Sequence, residues 1–268
     1  MKIIRYRDQL DQTGWGAELE NGTIVEIVGD IFREHSLSNR AVAVARVLAP
    51  VQPTAILCIA ANYRKHAAEG GWKVPDLPVI FMKLPGAVQD PDGPILLPRR
   101  LRSDKVDFEG ELAVVIGRTC KNVTKEEALD YVLGYTIAND VSARDWQQEW
   151  GGGQFCRGKT FDTFCPLGPA LVTPDEIPDP GRLTVRTRVN GQLMQEAPTS
   201  DMIFDVPTLI EFLSGSTTLH PGTVILTGTP HGVGMARTPP VFLRDGDTVS
   251  VEIEGIGILT NPVSEEEI

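Results

Sequence analysis

Apolar and polar positions alternate with a period of two over much of the chain, which predicts strands more often than helices. The clearest case is 112–116, an unbroken apolar run between Gly110 and Gly117 that reads as a buried strand. Residues 15–19 and 23–28 flank Asn21-Gly22, a strong hairpin signal. Further strands are expected over 55–60, 81–83, 134–140, 183–189, 192–195, 223–226, 249–253 and 255–259, while 41–48 fits either helix or strand. Helical signals are fewer. Residues 62–69 make two turns stopped by Gly70-Gly71, and Thr124-x-x-Glu127 is a capping box opening a helix to about 132. Residues 141–150 are helix-like up to Gly151, and Asp205 with Pro207 starts a helix over 208–213. The tail 264–268 is expected to fray. Pro50 and Pro53 punctuate the chain, dividing it into a small β-rich N-terminal domain (1–52) and a larger domain (53–268) of mixed, β-rich α+β class.

Composition narrows the function classes. The 268 residues carry a net charge of −11, which argues against nucleic acid or an anionic membrane as the main partner. An acidic surface also repels anionic substrates, so an acid substrate needs a local positive site. No apolar run approaches the roughly 20 residues of a membrane span. The opening Lys2-Ile3-Ile4-Arg5-Tyr6-Arg7 is unlike a signal peptide, and four scattered cysteines suit reduced thiols; both point to a cytoplasmic protein.

Candidate chemistry clusters around 106–117. Along a strand Glu109 and Glu111 point the same way, and two adjacent carboxylates repel unless a cation separates them. All-oxygen ligation favours Mg²⁺, Mn²⁺ or Ca²⁺ over zinc; the other reading is a pair of solvated acids. Asp140 ends the strand 134–140, either as a third ligand or as the N-cap of the segment 141–150. His66 and Glu69 share a helix face at i, i+3, as a surface pair or as a carboxylate-oriented general base. Arg144 and Gln147 are similarly spaced and could face one ligand, with Lys83 and Lys159 as further positive groups. The loop 227–234, with Thr229, has the glycines an anion-binding loop requires. Gly153 to Thr160 matches the P-loop pattern, but neither a feeding strand nor a proline-free helix after it accompanies the match, so nucleotide binding is the weaker expectation.

Five motifs in series are similar to the fumarylacetoacetate hydrolase superfamily. They are Asn62-Tyr63 with His66 and Glu69; Phe108-Glu109-Gly110-Glu111; residues 139–145; Gly158-Lys159-Thr160-Phe161-Asp162; and Thr227-Gly228-Thr229-Pro230 with Gly232-Val233-Gly234. The resemblance runs from about residue 60 to 263. The segments 144–147 and 159–169 most resemble its branch called fumarylacetoacetate hydrolase domain-containing protein 2. It implies a β-sandwich or roll, often a homodimer, holding Mg²⁺ or Mn²⁺ on Glu109, Glu111 and Asp140. It implies His66 and Glu69 as a water-activating dyad, Lys159 beside metal and substrate, and Thr229 holding a substrate oxygen. Arg144, Gln147 and Lys83 are further candidate substrate contacts. The expected substrate is a 2-oxo or 2,4-diketo acid. Hydrolytic C–C cleavage of an acylpyruvate or diketo-sugar acid, through an enolate held by the metal, is the leading expectation. Decarboxylation or keto–enol tautomerisation of oxaloacetate is the alternative.

Overall fold

The computed structural model describes residues 1–268. In chain order, β1 (Lys2–Asp8), β2 (Thr13–Glu18), β3 (Ile24–Gly29), β4 (His35–Ala41) and β5 (Val44–Leu48) are followed by β6 (Ala55–Ala60), α1 (Arg64–Glu69) and β7 (Val79–Lys83). Short β8 (Val88–Gln89), β9 (Ile95–Leu97) and β10 (Val106–Asp107) lead to β11 (Gly110–Ile116), β12 (Val132–Asn139) and β13 (Ser142–Ala143). Helix α2 (Phe155–Lys159), β14 (Cys165–Val172), β15 (Thr184–Val189), β16 (Gln192–Pro198), α3 (Val206–Ser214), β17 (Thr223–Leu226), β18 (Thr248–Ile253) and β19 (Gly257–Glu265) complete it. The molecule is a strongly β-rich α+β protein.

One sheet of 12 strands runs in the order β4-β3-β2-β1-β14-β12-β11-β17-β6-β7, with β5 on β1 and β8 on β14; a five-stranded sheet runs β16-β15-β18-β19-β9. Strand β11 lies between β12 and β17, and all seven of its residues are buried. Its two faces explain the apolar run. Leu112, Val114 and Ile116 pack toward Val185, Val251, Ile253 and Leu259 of the smaller sheet and toward Leu209, Ile210 and Leu213 of α3. Ala113 and Val115 face the opposite way, against Cys58, Cys165, Val224 and Leu226. The N-terminal strands extend the same sheet, with Lys2 opposite Val172 and Ile3 opposite Leu171, and Ile3, Ala17 and Ile27 join that second apolar layer.

Several local expectations are corrected. The capping box at Thr124 opens no α-helix: the Thr124 hydroxyl donates to its own Glu127 carboxylate, a single 3-10 turn comes next at Ala128–Tyr131, and Val132 already pairs with Ile116. Ladder hydrogen bonds and burial outcompete local propensity there. The helix-like 141–150 splits into β13, paired with β10, and a π-type turn at Asp145–Trp150. Strand β14 lies at the middle of the sheet despite Pro166 and Pro169, residues that argue against a central strand; its pairing with β12 is irregular between Tyr135 and Ile137. The ambiguous 41–48 contains β5. The tail is held: Val263, Ser264 and Glu265 pair with β9, and the Glu266 carboxylate accepts from Arg99 N and Arg100 N at 2.8 and 3.1 Å.

Candidate active site

Register brings the acids together. Gly110 opposes Asn139, the Asp140 N–H donates to the Glu109 carbonyl at 2.8 Å, and Glu109 N–H donates to Asn139 Oδ1 at 2.9 Å. The ladder thus continues one residue past both strands and sets Asp140 beside Glu109. Glu109, Glu111 and Asp140 are all buried, with one oxygen of each within 4.8 Å of the others. Lys159 Nζ bridges Glu109 Oε2 (2.8 Å) and Asp140 Oδ2 (2.7 Å), and Lys83 Nζ lies 2.6 Å from Asp140 Oδ1. Glu111 has no cation; its Oε2 accepts the Gly228 N–H at 2.7 Å.

These surroundings pull the carboxyls apart. Burial alone would raise Glu109, but Lys159 and Arg144 outweigh it and hold the group well below the usual carboxylate range. Burial, then Asp140 and Glu109, push Glu111 well above that range. For Lys159 the cost of burial is exceeded by Asp140 and Glu109, so it stays protonated. The donor set is therefore three hard oxygen ligands, of which Glu111 is the one with no cation against it, and it fits a divalent cation of the Mg²⁺ class. Behind Asp140, burial keeps Cys58 and Cys165 as neutral thiols, the latter pushed up to about 12.

Of the dyad, His66 lines the pocket beside the acids and Glu69 holds it from behind. Helix α1 buries His66, whose Nδ1 lies 3.2 Å from Glu69 Oε2. Both oxygens of Glu69 accept the Gly232 N–H, at 2.9 and 3.1 Å. Burial works against ionisation of Glu69, but the bonds from His66 and Gly232 prevail and lower its pKa. An ionised Glu69 accepts a hydrogen bond from Nδ1–H and leaves His66 Nε2 as the ring nitrogen free for chemistry.

His66, Glu109, Glu111, Arg144, Gln147, Lys159 and Thr229 line this pocket. Lys83 does not; it donates to Asp140 and to the Val141 carbonyl (3.1 Å), so it steadies an acid instead of facing the cavity. Thr229 spends its hydroxyl on the Gly110 carbonyl (3.1 Å) while accepting from Gln195 (2.8 Å). Arg144 donates through Nε to Asp107 (2.9 Å) and through Nη1 to Gln147 Oε1 (3.0 Å), and its Nη2 lies 2.6 Å from Glu109 Oε1.

Asp107 is a site residue that sequence reasoning missed. It is fully buried and also accepts from Gly234 N (2.7 Å) and Met235 N (3.0 Å), tying the 227–234 loop to Arg144. Its signal was its place two residues before Glu109, on the same alternating face. The P-loop pattern has a different origin. Its helix lies inside the motif, its lysine is paired with two acids, and a Cβ on Gly158 would come within 2.6 Å of Gln147 N and 2.7 Å of the Ala143 carbonyl. The glycine lets α2 pack close, and no phosphate cradle forms.

Comparison with known proteins places this geometry. Residues 55–264 match the family described as fumarylacetoacetate (FAA) hydrolase C-terminal. The chain is 50% identical to "Oxaloacetate tautomerase fahd2, mitochondrial" of Xenopus laevis over 231 residues, covering 86% of this chain and 71% of that protein. It is 43% identical to the Dictyostelium discoideum fumarylacetoacetate hydrolase domain-containing protein 2 homolog, over 85% of this chain and 78% of that one. Among solved structures, 5-carboxymethyl-2-hydroxymuconate delta-isomerase from Mycobacterium smegmatis is 42% identical with a TM-score of 0.86, covering 99% and 100% of the two chains. Fumarylacetoacetate hydrolase (EaFAH) from Exiguobacterium antarcticum is 38% identical with a TM-score of 0.85 over the same shares. The mitochondrial names of several relatives lend no support to a cytoplasmic location, and no helix is long and apolar enough to cross a membrane. With a matching domain over most of the chain, relatives at half its sequence and a buried three-acid centre in the matching fold, this protein is an enzyme of the fumarylacetoacetate hydrolase superfamily.

Proposed function

We propose that the enzyme interconverts the enol and keto forms of a 2-oxo dicarboxylic acid of the oxaloacetate type. The observation that carries this reading is one pocket lined by His66, Lys159, Glu109 and Glu111, with Asp140 grouped with the two glutamates, in a chain half identical to proteins named oxaloacetate tautomerase. A divalent cation on Glu109, Glu111 and Asp140, Mg²⁺ or Mn²⁺, would supply positive charge for the carboxylate and 2-oxygen of the substrate. Tautomerisation moves one proton from that oxygen to C3. Lys159, held protonated by Glu109 and Asp140, offsets negative charge at the oxygen as its proton leaves. His66, oriented by Glu69, exchanges the proton at C3 through Nε2. Trp72 meets the imidazole edge-on at 5.3 Å.

The intact His66–Glu69 pair also favours a second reading, hydrolytic C–C cleavage of an acylpyruvate, in which His66 activates water. The two separate by assay. With Mg²⁺ or Mn²⁺, the enzyme is expected to speed the decay of enol-oxaloacetate absorbance over the buffer rate and to release no pyruvate from acylpyruvates. Decay at the buffer rate with pyruvate release would transfer the assignment to the hydrolase.

A further inference from the structure

The basic side chains of the pocket are His66, Lys73, Arg144 and Lys159. Lys159 is taken by Glu109 and Asp140, Arg144 by Asp107, Glu109 and Gln147, and His66 by Glu69. Lys73 is uncommitted. Its one ionic neighbour is Asp76 at 3.5 Å, with side chains 86% and 91% exposed, a pair that contributes almost nothing in water. It stands at the rim next to Trp72, whose place the backbone fixes. Trp72 N–H is held by the Ala67 carbonyl at 2.9 Å, and a Cβ on Gly70 would lie 2.6 Å from the indole, so glycine allows the ring to fold over the helix end. Pro75, Val79, Phe81 and Phe155 make much of the remaining wall apolar, with neutral amides from Gln147 and Gln148. A second carboxylate pointing away from the acid-lined floor would lose water against that wall, and a charge-assisted bond from Lys73 offsets the loss.

We propose that Lys73 binds the distal carboxylate of a dicarboxylic 2-oxo acid and selects dicarboxylic over monocarboxylic substrates. The inference rests on the reading of the floor as the 2-oxo acid site. Its test compares the wild type, Lys73→Ala and Lys73→Arg, loaded with Mg²⁺, on enol-oxaloacetate and on the enol of phenylpyruvate. Lys73→Ala is expected to lose about fivefold in kcat/KM on the dicarboxylate, chiefly through KM, with no change on the monocarboxylate. Lys73→Arg is expected to retain the preference, and added salt to weaken it in the wild type. Equal losses on both substrates, or none on either, overturn the proposal. Calorimetric binding of 2-oxoglutarate and 2-oxobutyrate to the Mn²⁺-loaded protein decides the matter even if the enzyme proves not to be a tautomerase. A loss confined to 2-oxoglutarate in Lys73→Ala supports Lys73 as selector; indifference to the variant, or no binding of either acid by the wild type, sinks it.

Discussion

Of the three acids, Glu111 stands apart because no lysine or arginine reaches it. A carboxyl whose pKa is higher in the folded than in the unfolded chain holds its proton more tightly when folded. Its contribution to stability is complete below the ordinary carboxylate range and is lost as pH rises through the raised value. Metal-stripped Glu111→Gln is therefore expected to be more stable to unfolding than metal-stripped wild type near neutral pH, by roughly 1–3 kcal/mol, the gap closing as pH falls to about 5. Mg²⁺ should raise the melting temperature of the wild type and leave that of the variant unmoved. A variant no more stable when stripped, or equally stabilised by Mg²⁺, would remove Glu111 from the centre. Alternation and adjacency made Glu109, Glu111 and Asp140 legible as candidates, and the serial motifs singled out His66, Glu69 and Lys159 as candidates beside them. Burial was not legible: Lys83 looks like any lysine until its Nζ is found against Asp140. Lys73 and Trp72 belong to no periodic pattern, so nothing in the sequence alone joined them to the pocket.

Elements with local determinants were readable, and those imposed by distant partners were not. Helix α3 shows the first kind: Asp205 Oδ1 accepts Thr208 N at 2.9 Å, Pro207 stands in the first turn and Gly215 ends it. Asp205→Ala is expected to cost about 1 kcal/mol and to lower the melting temperature by about 2–4 °C, with turnover unchanged. Partial burial opposes ionisation of Asp205, but bonds from Thr208 and Lys125 lower its pKa. The cap therefore stabilises above the ordinary carboxylate range, and the difference between wild type and variant should shrink on acidification. An unchanged melting temperature near neutral pH would show the cap to be idle. Strand β14 shows the second kind. Its prolines forbid the usual ladder signature, and only its position between β1 and β12 makes it a strand.

At the scale of the molecule, the apolar layer under the acids is shared between residues on either side of Pro50. Ile3, Ala17 and Ile27 pack in one cluster with Cys58, Leu171 and Leu226. We propose residues 1–52 as a distinct small domain by sequence, yet one whose removal would bare an edge of β14 and that apolar layer. A chain of residues 53–268 alone is expected to be insoluble or to melt far below the full chain. A soluble fragment with full turnover and an unchanged melting temperature would establish instead that the segment is dispensable. The class of the fold was legible in strand periodicity; the joining of the N-terminal strands to the main sheet was not, because register across so long a separation leaves no local trace.

Arg144 gathers Asp107, Gln147 and Glu109 onto one flat, five-donor fork. A lysine in its place would bring the same charge on a single flexible tip, too small to serve three claimants set at fixed angles. Whichever claimant it deserted, the glycine loop, the amide or the acid would come adrift from the other two, and with it the agreement between the roof and the floor of the cavity. Shape at this position, more than charge, is what natural or designed variation would have to preserve.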